Sequence, residues 1–468
     1  MPLTHHAKFI SSSTLFILFI SSLFLLFRLL NITEESYWMD ELYSATRSNP
    51  DKEFLKVYYW GPDPHPPFHY VLLWLSYNLF GFNEYLGRFI SVLSGTLVIP
   101  ATYYFAKKII SERVGVISAV LVSINTTILY FSTEVRSYEL MALCSLLSTL
   151  YFLNYLLSQK KLYLIPYFGF SLMLMNLHFF GALIIISHLF ASFLIFRSNL
   201  LSKEFLLFIA INLLVQASYI PLLGLIFSVA NSGPTWIQEV NFFTYLFNTF
   251  TDFVFYEFAY QQMSNIFFGA ILLLGLIYGI KQLAQVNSSA AIIILTLGLF
   301  LLVIPIIIGY FLEPIFNTRN AIGFLPFFLI LISLTISKAT INLSNKNVYL
   351  LGAVLIFITY ANYEERKKQD WRNILKDAVK ESNVIYTPNW LGQWQTYQAW
   401  LGLEDIQLLD LNSINKSEEL ESEKYIVVWA QVRPDKMQRL SKILPRLRIK
   451  DEKDFKGGGI IIYEPLLQ

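Results

Sequence analysis

The chain contains one cysteine in 468 residues, and this scarcity is the first constraint on its structure. Cys144 has no partner for an internal disulfide, and its apolar neighbours favour a role as a small packing residue. The six histidines are scattered, so the spacing of a zinc site is absent, and there is no Walker A sequence. The sequence therefore gives no support for a disulfide scaffold, a structural zinc module or a P-loop ATPase.

Charged residues are also scarce. They make up 15% of the chain, whereas soluble domains carry about 25%. The net charge of +2 is too small to indicate a nucleic-acid partner. Hydrophobic residues make up 55% of the chain. They occur in blocks of roughly 16–22 residues, the length that crosses a bilayer. Because these blocks lack the alternation of barrel strands, we predict a polytopic helical membrane protein.

The apolar blocks predict about eleven transmembrane helices. They lie near residues 12–30, 88–106, 114–131, 138–157, 162–177, 179–196, 205–227, 266–280, 290–311, 321–337 and 347–361. The first block is not followed by an obvious small-residue cleavage site, so we interpret it as a retained span.

The apolar segment 66–80 decides the predicted topology. A segment of about fifteen residues is shorter than the roughly 17 that a spanning helix needs, so we place it on the membrane surface. The short loops rich in lysine and arginine then fall on one side, as expected for cytoplasmic loops. The segments predicted to face the opposite, non-cytoplasmic side are 31–87, 131–137, 228–265, 312–320 and everything after 362.

After residue 362 a charged linker leads into a different kind of sequence. Short strands alternate with amphipathic helices, which predicts a small, mostly parallel sheet. The predicted helices are 371–380, 390–400 and 434–444, and the predicted strands are 384–387, 406–411, 425–429 and 459–463. We therefore expect a membrane domain over 1–361, with an outer loop at 31–87, and an extracytoplasmic α/β domain over 362–468.

An acidic stretch directly follows the first span. Residues 34–41 contain four carboxylates beside Tyr37 and Trp38. Neighbouring carboxylates without a nearby cation raise one another's pKa, so Asp40, with Glu41 beside it, is a candidate general base. The alternative is that Asp40 or Glu41 caps a surface helix beginning near Leu42.

A second candidate lies at Glu134-Val135-Arg136-Ser137-Tyr138. Glu134 and Tyr138 share a face if the segment is helical, and Arg136 is a donor suited to phosphate. The alternative is a local Glu134–Arg136 pair that anchors a tight turn.

Several other side chains on the predicted outer face could contact an anionic group. His65 precedes two prolines at the start of the 66–80 segment, where the helix dipole favours anions. Arg88, His178 and Arg319 lie at outer ends of predicted spans and suit a phosphate headgroup. Each of these side chains, taken singly, is more typical of an interface anchor.

Taken in order, these motifs resemble those of the C-type integral-membrane glycosyltransferases, specifically the bacterial group similar to protein O-mannosyltransferases. The lipid A aminoarabinose transferase is a more distant relative. The resemblance is strongest over 35–150. It depends on these motifs in order: Asp40-Glu41, His65-Pro66-Pro67-Phe68-His69-Tyr70, Leu79-Phe80-Gly81, Asn83-Glu84 leading to Arg88, and 130–138. Weaker support comes from 176–181, from Arg319 and from Gln369-Asp370-Trp371-Arg372.

The resemblance implies that a sugar passes from a polyprenyl-phosphate donor to a hydroxyl of a lipid, glycan or protein on the non-cytoplasmic face of the cell membrane. It makes Asp40 the base, with Glu41 beside it, and places His65 and Arg136 near the donor phosphate. The other substrate-binding candidates are Arg88, Glu134, Tyr138, His178 and Arg319. Some relatives carry Asp at the position of Glu134 and Lys at that of His65, which leaves the donor open. No cofactor or metal ligand is predicted, and participation of a divalent metal stays open.

Two other functions compete with this one. A transporter or flippase of lipid-linked sugars would favour ionisable groups near mid-span and two matching halves. The sequence instead concentrates such groups at the outer span ends and has no matching halves. A non-catalytic assembly subunit would have no need of both the acidic stretch and Arg136.

Overall fold

The computed structural model describes residues 11–59, 65–224, 242–254, 262–311, 315–363, 368–413, 424–438 and 444–466. Helices account for most of these residues. Their bounds are Ser12–Leu30, Met39–Arg47, Phe54–Tyr58, Phe68–Phe80, Glu84–Ile109, Glu112–Ser123, Thr126–Phe131, Tyr138–Ser158, Leu164–Leu177, Phe179–Phe196, Lys203–Ala217, Phe242–Val254, Gln262–Val286, Ser288–Gly298, Ile304–Phe311, Leu325–Ala339, Asn345–Asn362, Trp371–Ala378 and Leu391–Trp400.

Eight helical segments of the described residues are long and apolar enough to cross a membrane. These are Ser12–Leu30, Glu84–Ile109, Tyr138–Ser158, Phe179–Phe196, Lys203–Leu222, Phe267–Val286, Ser288–Gly309 and Thr318–Ala339. The prediction of a polytopic helical protein is thereby confirmed. The end of the span predicted at 205–227 lies outside the described residues.

The other three predicted spans form shorter or interrupted helices. The segment predicted at 114–131 breaks between Glu112–Ser123 and Thr126–Phe131. The side chain of Asn125 accepts a hydrogen bond from the Ile128 N–H at 3.1 Å, which caps the second helix. The Asn125 side-chain amide donates to the Phe253 carbonyl, and the hydroxyls of the next two threonines donate to the carbonyls of Val254 and Asp252. All three carbonyls lie at the end of the helix Phe242–Val254.

The predicted surface segment is a helix of 13 residues, Phe68–Phe80. It begins directly after Pro66 and Pro67, which are tolerated at a helix start but not in its interior. The helix is too short to count among the candidate spans, in agreement with the prediction.

The chain divides into two compact units. The first contains residues 1–30, 58–69 and 90–363, and the second contains 31–57, 70–89 and 364–468. One division between the units falls near residue 363, and the predicted domains 1–361 and 362–468 stay a prediction. However, most of the outer loop groups with the C-terminal residues and not with the helices that flank it in sequence.

The C-terminal part of the second unit contains a five-stranded sheet. The strands are β1 Val384–Thr387, β2 Gln407–Asp410, β3 Tyr425–Ala430, β4 Leu447–Phe455 and β5 Gly458–Pro465, in the order β2-β1-β3-β5-β4. β1 pairs with β2 and β3 in parallel, whereas β5 pairs with β3 and β4 in antiparallel register. The expectation of a mostly parallel sheet is therefore correct for β2, β1 and β3 but not for β5 and β4.

The strand β4 was not predicted. Its sequence, Leu-Arg-Ile-Lys-Asp-Glu-Lys-Asp-Phe, is largely charged, and most of its residues are exposed. Charged side chains are typical of an edge strand, but they remove the apolar alternation by which strands are predicted. The helix predicted at 434–444 is also wrong for the described residues, where only the short 3₁₀ turns Pro434–Lys436 and Leu444–Arg446 occur.

Candidate active site

Asp40 lies in the first turn of the helix Met39–Arg47, in the second unit. Leu42 and Ala45 are fully buried on one face of this helix, whereas the Asp40 side chain is half-buried. The helix packs against Leu391–Trp400 of the C-terminal domain, where the Thr46 and Thr396 hydroxyls lie 3.0 Å apart. The helix begins three residues before Leu42, so Asp40 lies inside its first turn.

Glu41 is fully buried and surrounded by donors. Its Oε1 accepts from Arg88 Nε at 2.8 Å, and its Oε2 accepts from Arg88 Nη2 at 2.8 Å and from Lys368 Nζ at 3.1 Å. The Trp38 N–H also donates to Oε2 at 3.3 Å, so Glu41 caps this helix from within its first turn, whereas the alternative interpretation placed the helix start near Leu42. The expectation that no cation lies near these carboxylates is wrong for Glu41.

The charges around Glu41 determine its protonation state. Burial alone would raise the pKa of Glu41, but Arg88 and Lys368 hold that pKa below its ordinary value. Glu41 is therefore a carboxylate whose oxygens are occupied, and this geometry suits it to organising the loop, not to exchanging a proton with substrate.

All hydrogen-bond donors of Arg88 are also occupied. Its five N–H groups donate to both Glu41 oxygens and to the carbonyls of Ile32, Glu35 and Ser36. Its side chain is 1% exposed. Because no N–H group is left for a phosphate, the expectation that Arg88 contacts substrate does not fit this geometry. Arg88 instead ties the residues before Asp40 to the helix Glu84–Ile109.

The first unit brings five of the predicted residues together, and we call them the His178 cluster: His65, Arg136, Tyr138, His178 and Arg319. The ring centroids of His65 and His178 are 5.1 Å apart, and those of Tyr138 and His178 are 6.2 Å apart. The Arg319 guanidinium carbon lies 5.9 Å from the centre of the Tyr138 ring. Residues that are up to 254 positions apart in sequence thus converge on one site.

The His178 ring is buried among the charged groups of this cluster. Burial lowers the pKa of His178 well below its ordinary value, and the charges of His65, Arg136 and Arg319 lower it further. The Phe180 N–H donates to His178 Nδ1 at 3.1 Å, so the proton of the neutral ring is on Nε2. His178 is therefore a neutral hydrogen-bond donor among cationic groups.

Residues 132–137 form a tight non-helical loop. The condition under which Glu134 and Tyr138 would share a helix face is therefore not met, because the helix begins only at Tyr138. Ser91 Oγ donates to the Glu134 carbonyl at 2.6 Å and to the Arg136 carbonyl at 3.3 Å. At Gly95 a Cβ atom would lie 3.0 Å from Ser132, so glycine allows the helix to approach this loop closely.

Sequence reasoning missed the residues that position this loop and the Asp40 loop. Arg28, fully buried, donates to Thr133 Oγ1 at 2.6 Å, and Lys368 binds Glu41 as described above. Both cations are far in sequence from the groups they bind, and no local pattern signals such pairs. Among the described residues no group of three or more histidine, cysteine or acidic side chains is placed to hold a metal ion.

Comparison of the whole chain with solved structures identifies the fold as that of the GT-C membrane glycosyltransferases. The chain is similar to the apo crystal structure of ArnT from Cupriavidus metallidurans, with a TM-score of 0.62 and 13% identity over 97% of this chain and 98% of that one. ArnT from the same organism bound to undecaprenyl phosphate matches with a TM-score of 0.57, 12% identity, and coverage of 96% and 98%.

More distant similarity extends to an archaeal enzyme. AglB, the oligosaccharyltransferase of Archaeoglobus fulgidus, in complex with an inhibitory peptide and a dolichol-phosphate, matches with a TM-score of 0.52 and 13% identity. That match covers 88% of this chain and 69% of AglB. Residues 64–223 match the family model of dolichyl-phosphate-mannose-protein mannosyltransferases. No curated protein sequence matches the chain. The resemblance predicted from the motifs is thus confirmed by the family model and by the fold.

Proposed function

We propose that this multi-pass membrane protein is a glycosyltransferase that moves a sugar from a polyprenyl-phosphate donor to a hydroxyl group of a lipid, glycan or protein. The reaction takes place on the non-cytoplasmic face, inverts the anomeric carbon and uses Asp40 as its base. The observation that carries the proposal is the His178 cluster, because it collects cationic and hydrogen-bonding side chains, all but Arg319 within the matched residues 64–223.

The proposed reaction explains why Asp40 and the side chains of the His178 cluster are needed. Asp40 takes the proton of the acceptor hydroxyl, and the hydroxyl oxygen forms a bond to the anomeric carbon. The bond from that carbon to the donor phosphate breaks, and the lipid phosphate leaves with the electron pair. A phosphate is a weak base and needs little protonation, but it needs positive charge where negative charge develops. Arg136 and Arg319 supply that charge, and His65 and His178 add hydrogen bonds.

Glu134 and Tyr138 bind the donor sugar or its phosphate in this proposal. The Glu134 side chain is 1% exposed and follows Thr133 in the loop that Arg28 and Ser91 hold in place. A buried carboxylate in a rigid loop suits the recognition of sugar hydroxyls, because it accepts hydrogen bonds without reorganising. Glu41 and Arg88 organise the Asp40 loop and do not themselves contact substrate.

The comparisons support the class of donor. An ArnT structure contains undecaprenyl phosphate and an AglB structure contains a dolichol-phosphate. These two proteins share the fold of this chain and bind polyprenyl phosphates, which favours the same lipid class here. The AglB structure also contains an inhibitory peptide, but this does not choose between peptide, glycan and lipid acceptors for the present chain.

The ionisable side chains inside the described spans give little support to the alternative of a transporter. The ionisable side chain nearest the middle of a described span is His188 in Phe179–Phe196. Its ring nitrogens lie 3.0 Å from the Thr149 hydroxyl and 3.5 Å from the Tyr167 hydroxyl. A histidine engaged in this way is a packing element between helices and is unsuited to a proton or substrate path.

Two measurements test the proposed function together. Mass spectrometry of surface glycolipids and glycoproteins from a deletion strain should reveal one sugar missing from one class of acceptor. The purified protein in lipid nanodiscs, supplied with undecaprenyl-phosphate hexoses and that acceptor, should transfer the sugar without a nucleotide. A lost sugar without transfer in nanodiscs would favour a flippase, and an unchanged glycan profile would overturn the proposal.

A further inference from the structure

The segment that enters the C-terminal domain returns to the loop that carries Asp40. Lys368 Nζ lies 3.1 Å from Glu41 Oε2, and the two side chains are 4% and 0% exposed. The backbone N–H of the same lysine donates to Glu35 Oε2 at 3.2 Å. One residue of the C-terminal segment thus binds two acidic residues of the outer loop, with its side chain and with its backbone.

The second cation at Glu41 is not needed to neutralise it. Arg88 already forms two hydrogen bonds of 2.8 Å with the Glu41 carboxylate. A buried pair of opposite charges gains little stability over apolar packing of similar volume. The buried ammonium of Lys368 is therefore better explained by the geometry it imposes than by the stability it adds.

Further bonds from the C-terminal domain bind the residues just before Asp40. Arg372 Nη2 donates to Glu84 Oε2 at 2.6 Å and to the Thr33 carbonyl at 3.1 Å. The Tyr397 hydroxyl donates to Glu84 Oε1 at 2.6 Å and accepts from the Tyr37 N–H at 2.6 Å. Residues 33–37 have no helix or strand of their own to hold them in this shape.

The orientation of Asp40 depends on these contacts. The helix Met39–Arg47 has 9 residues, and a helix shorter than about 12 residues is marginal without tertiary packing. Consecutive residues project about 100° apart around a helix. Fixing Glu41 on the buried side therefore sets the direction in which Asp40 projects.

We propose that Lys368 is a positioning residue for the transfer reaction: together with Arg88 it fixes Glu41, and through Glu41 it holds Asp40 in the orientation that accepts a proton. The C-terminal domain thereby completes the catalytic loop in addition to any contact it makes with the acceptor. This inference depends on the proposed function, because it assigns the positioning to the base of that reaction.

The test compares K368M with K368R and with the control variant K424M in the full-length protein in nanodiscs. Lys424 lies in the same domain, and its pair with Glu381 is solvent-exposed. We expect K368M to lower kcat by about 10–100-fold, the cost of a misplaced catalytic group. The KM values for donor and acceptor should stay within twofold, K368R should recover part of kcat, and K424M should match the wild type.

A double-variant measurement separates positioning from general destabilisation. If Lys368 acts through Glu41, the variant E41Q/K368M should lose no more kcat than E41Q alone. Additive losses, or a wild-type kcat in K368M when D40N is inactive, would overturn the inference and leave the proposed function intact.

Amide hydrogen exchange tests the same inference without turnover. Residues 33–42 should exchange faster in K368M than in the wild type and should be unaffected in K424M. Unchanged exchange in K368M would overturn the positioning role. Faster exchange in K368M, together with a wild-type protein that transfers no sugar, would support the role of Lys368 in loop structure and overturn the proposed function.

Discussion

Arg88 and Glu41 form a bidentate ion pair in which both hydrogen bonds measure 2.8 Å, although the residues are 47 positions apart in sequence. The pair is almost completely buried and joins the Asp40 helix to the start of the helix Glu84–Ile109. The remaining N–H groups of Arg88 donate to the carbonyls of Ile32, Glu35 and Ser36, in the loop before the Asp40 helix. The first consequence of this pair concerns stability.

Replacing Arg88 with methionine should destabilise the protein by about 3–5 kcal/mol, because Glu41 loses its main partner and three loop carbonyls lose their donor. Chemical unfolding in detergent, followed by tryptophan fluorescence, measures this change. The matched control is K380M, which removes an exposed cation of the same compact unit and should shift the unfolding free energy by less than about 0.5 kcal/mol.

The same variant also separates the two roles considered for Arg88. The folded fraction of R88M should keep the donor KM of the wild type, since all five N–H groups of Arg88 already donate to groups of the protein. A large rise in donor KM without loss of stability would return Arg88 to the substrate-binding residues.

Replacing Asp40 with asparagine should lower kcat by about 10²–10⁴-fold, the usual contribution of a general base. Donor binding and the unfolding temperature should change little, because the half-buried Asp40 has the same shape as asparagine. Initial rates with a labelled donor, together with thermal unfolding, provide the measurement. E34Q is the control, since Glu34 is an exposed carboxylate of the same loop. Full activity of D40N would remove Asp40 from the mechanism.

Replacing Arg136 with methionine should lower kcat/KM by about 10²–10³-fold, the cost of losing one donor that stabilises developing negative charge. Inhibition by undecaprenyl phosphate should weaken in parallel, because in the proposed mechanism the same guanidinium binds the product phosphate. R197M removes an exposed arginine at the end of the helix Phe179–Phe196 and should behave as the wild type. Equal inhibition of R136M and the wild type would place the phosphate elsewhere.

The pH dependence of stability should reveal the ionised state of Glu41. Arg88 and Lys368 hold its pKa below the ordinary value against the opposing effect of burial. A carboxyl group with a lowered folded-state pKa stabilises the protein above its unfolded pKa of about 4.3, and this stabilisation is lost as the pH falls through the folded-state pKa.

Wild type and E41Q should therefore differ most near neutral pH. The difference in unfolding temperature should stay constant down to about pH 5 and then shrink toward pH 3 as Glu41 is protonated. Thermal unfolding across this range provides the comparison. A difference that grows on acidification would mean that Glu41 is protonated in the native protein.

Patterns within contiguous residues predicted much of the architecture. The strand Val384–Thr387 has the predicted bounds, and the helix Phe68–Phe80 is too short to span, as its apolar length indicated. The edge strand Leu447–Phe455 escaped prediction because its charged side chains face solvent. The segment 131–137 was expected as a short turn between spans, but spacing alone does not reveal the hydrogen bonds from Ser91 that hold it.

What the sequence determined by itself is the set of apolar helices, the short helix Phe68–Phe80 and the chemical nature of Asp40, His65 and Arg136. These features depend on the length and polarity of neighbouring residues. Only the tertiary structure decided which charges meet, as in Lys368 and Glu41, which are 327 positions apart. Electrostatic pairing depends on distance through space and on exclusion of water, and folding alone sets both.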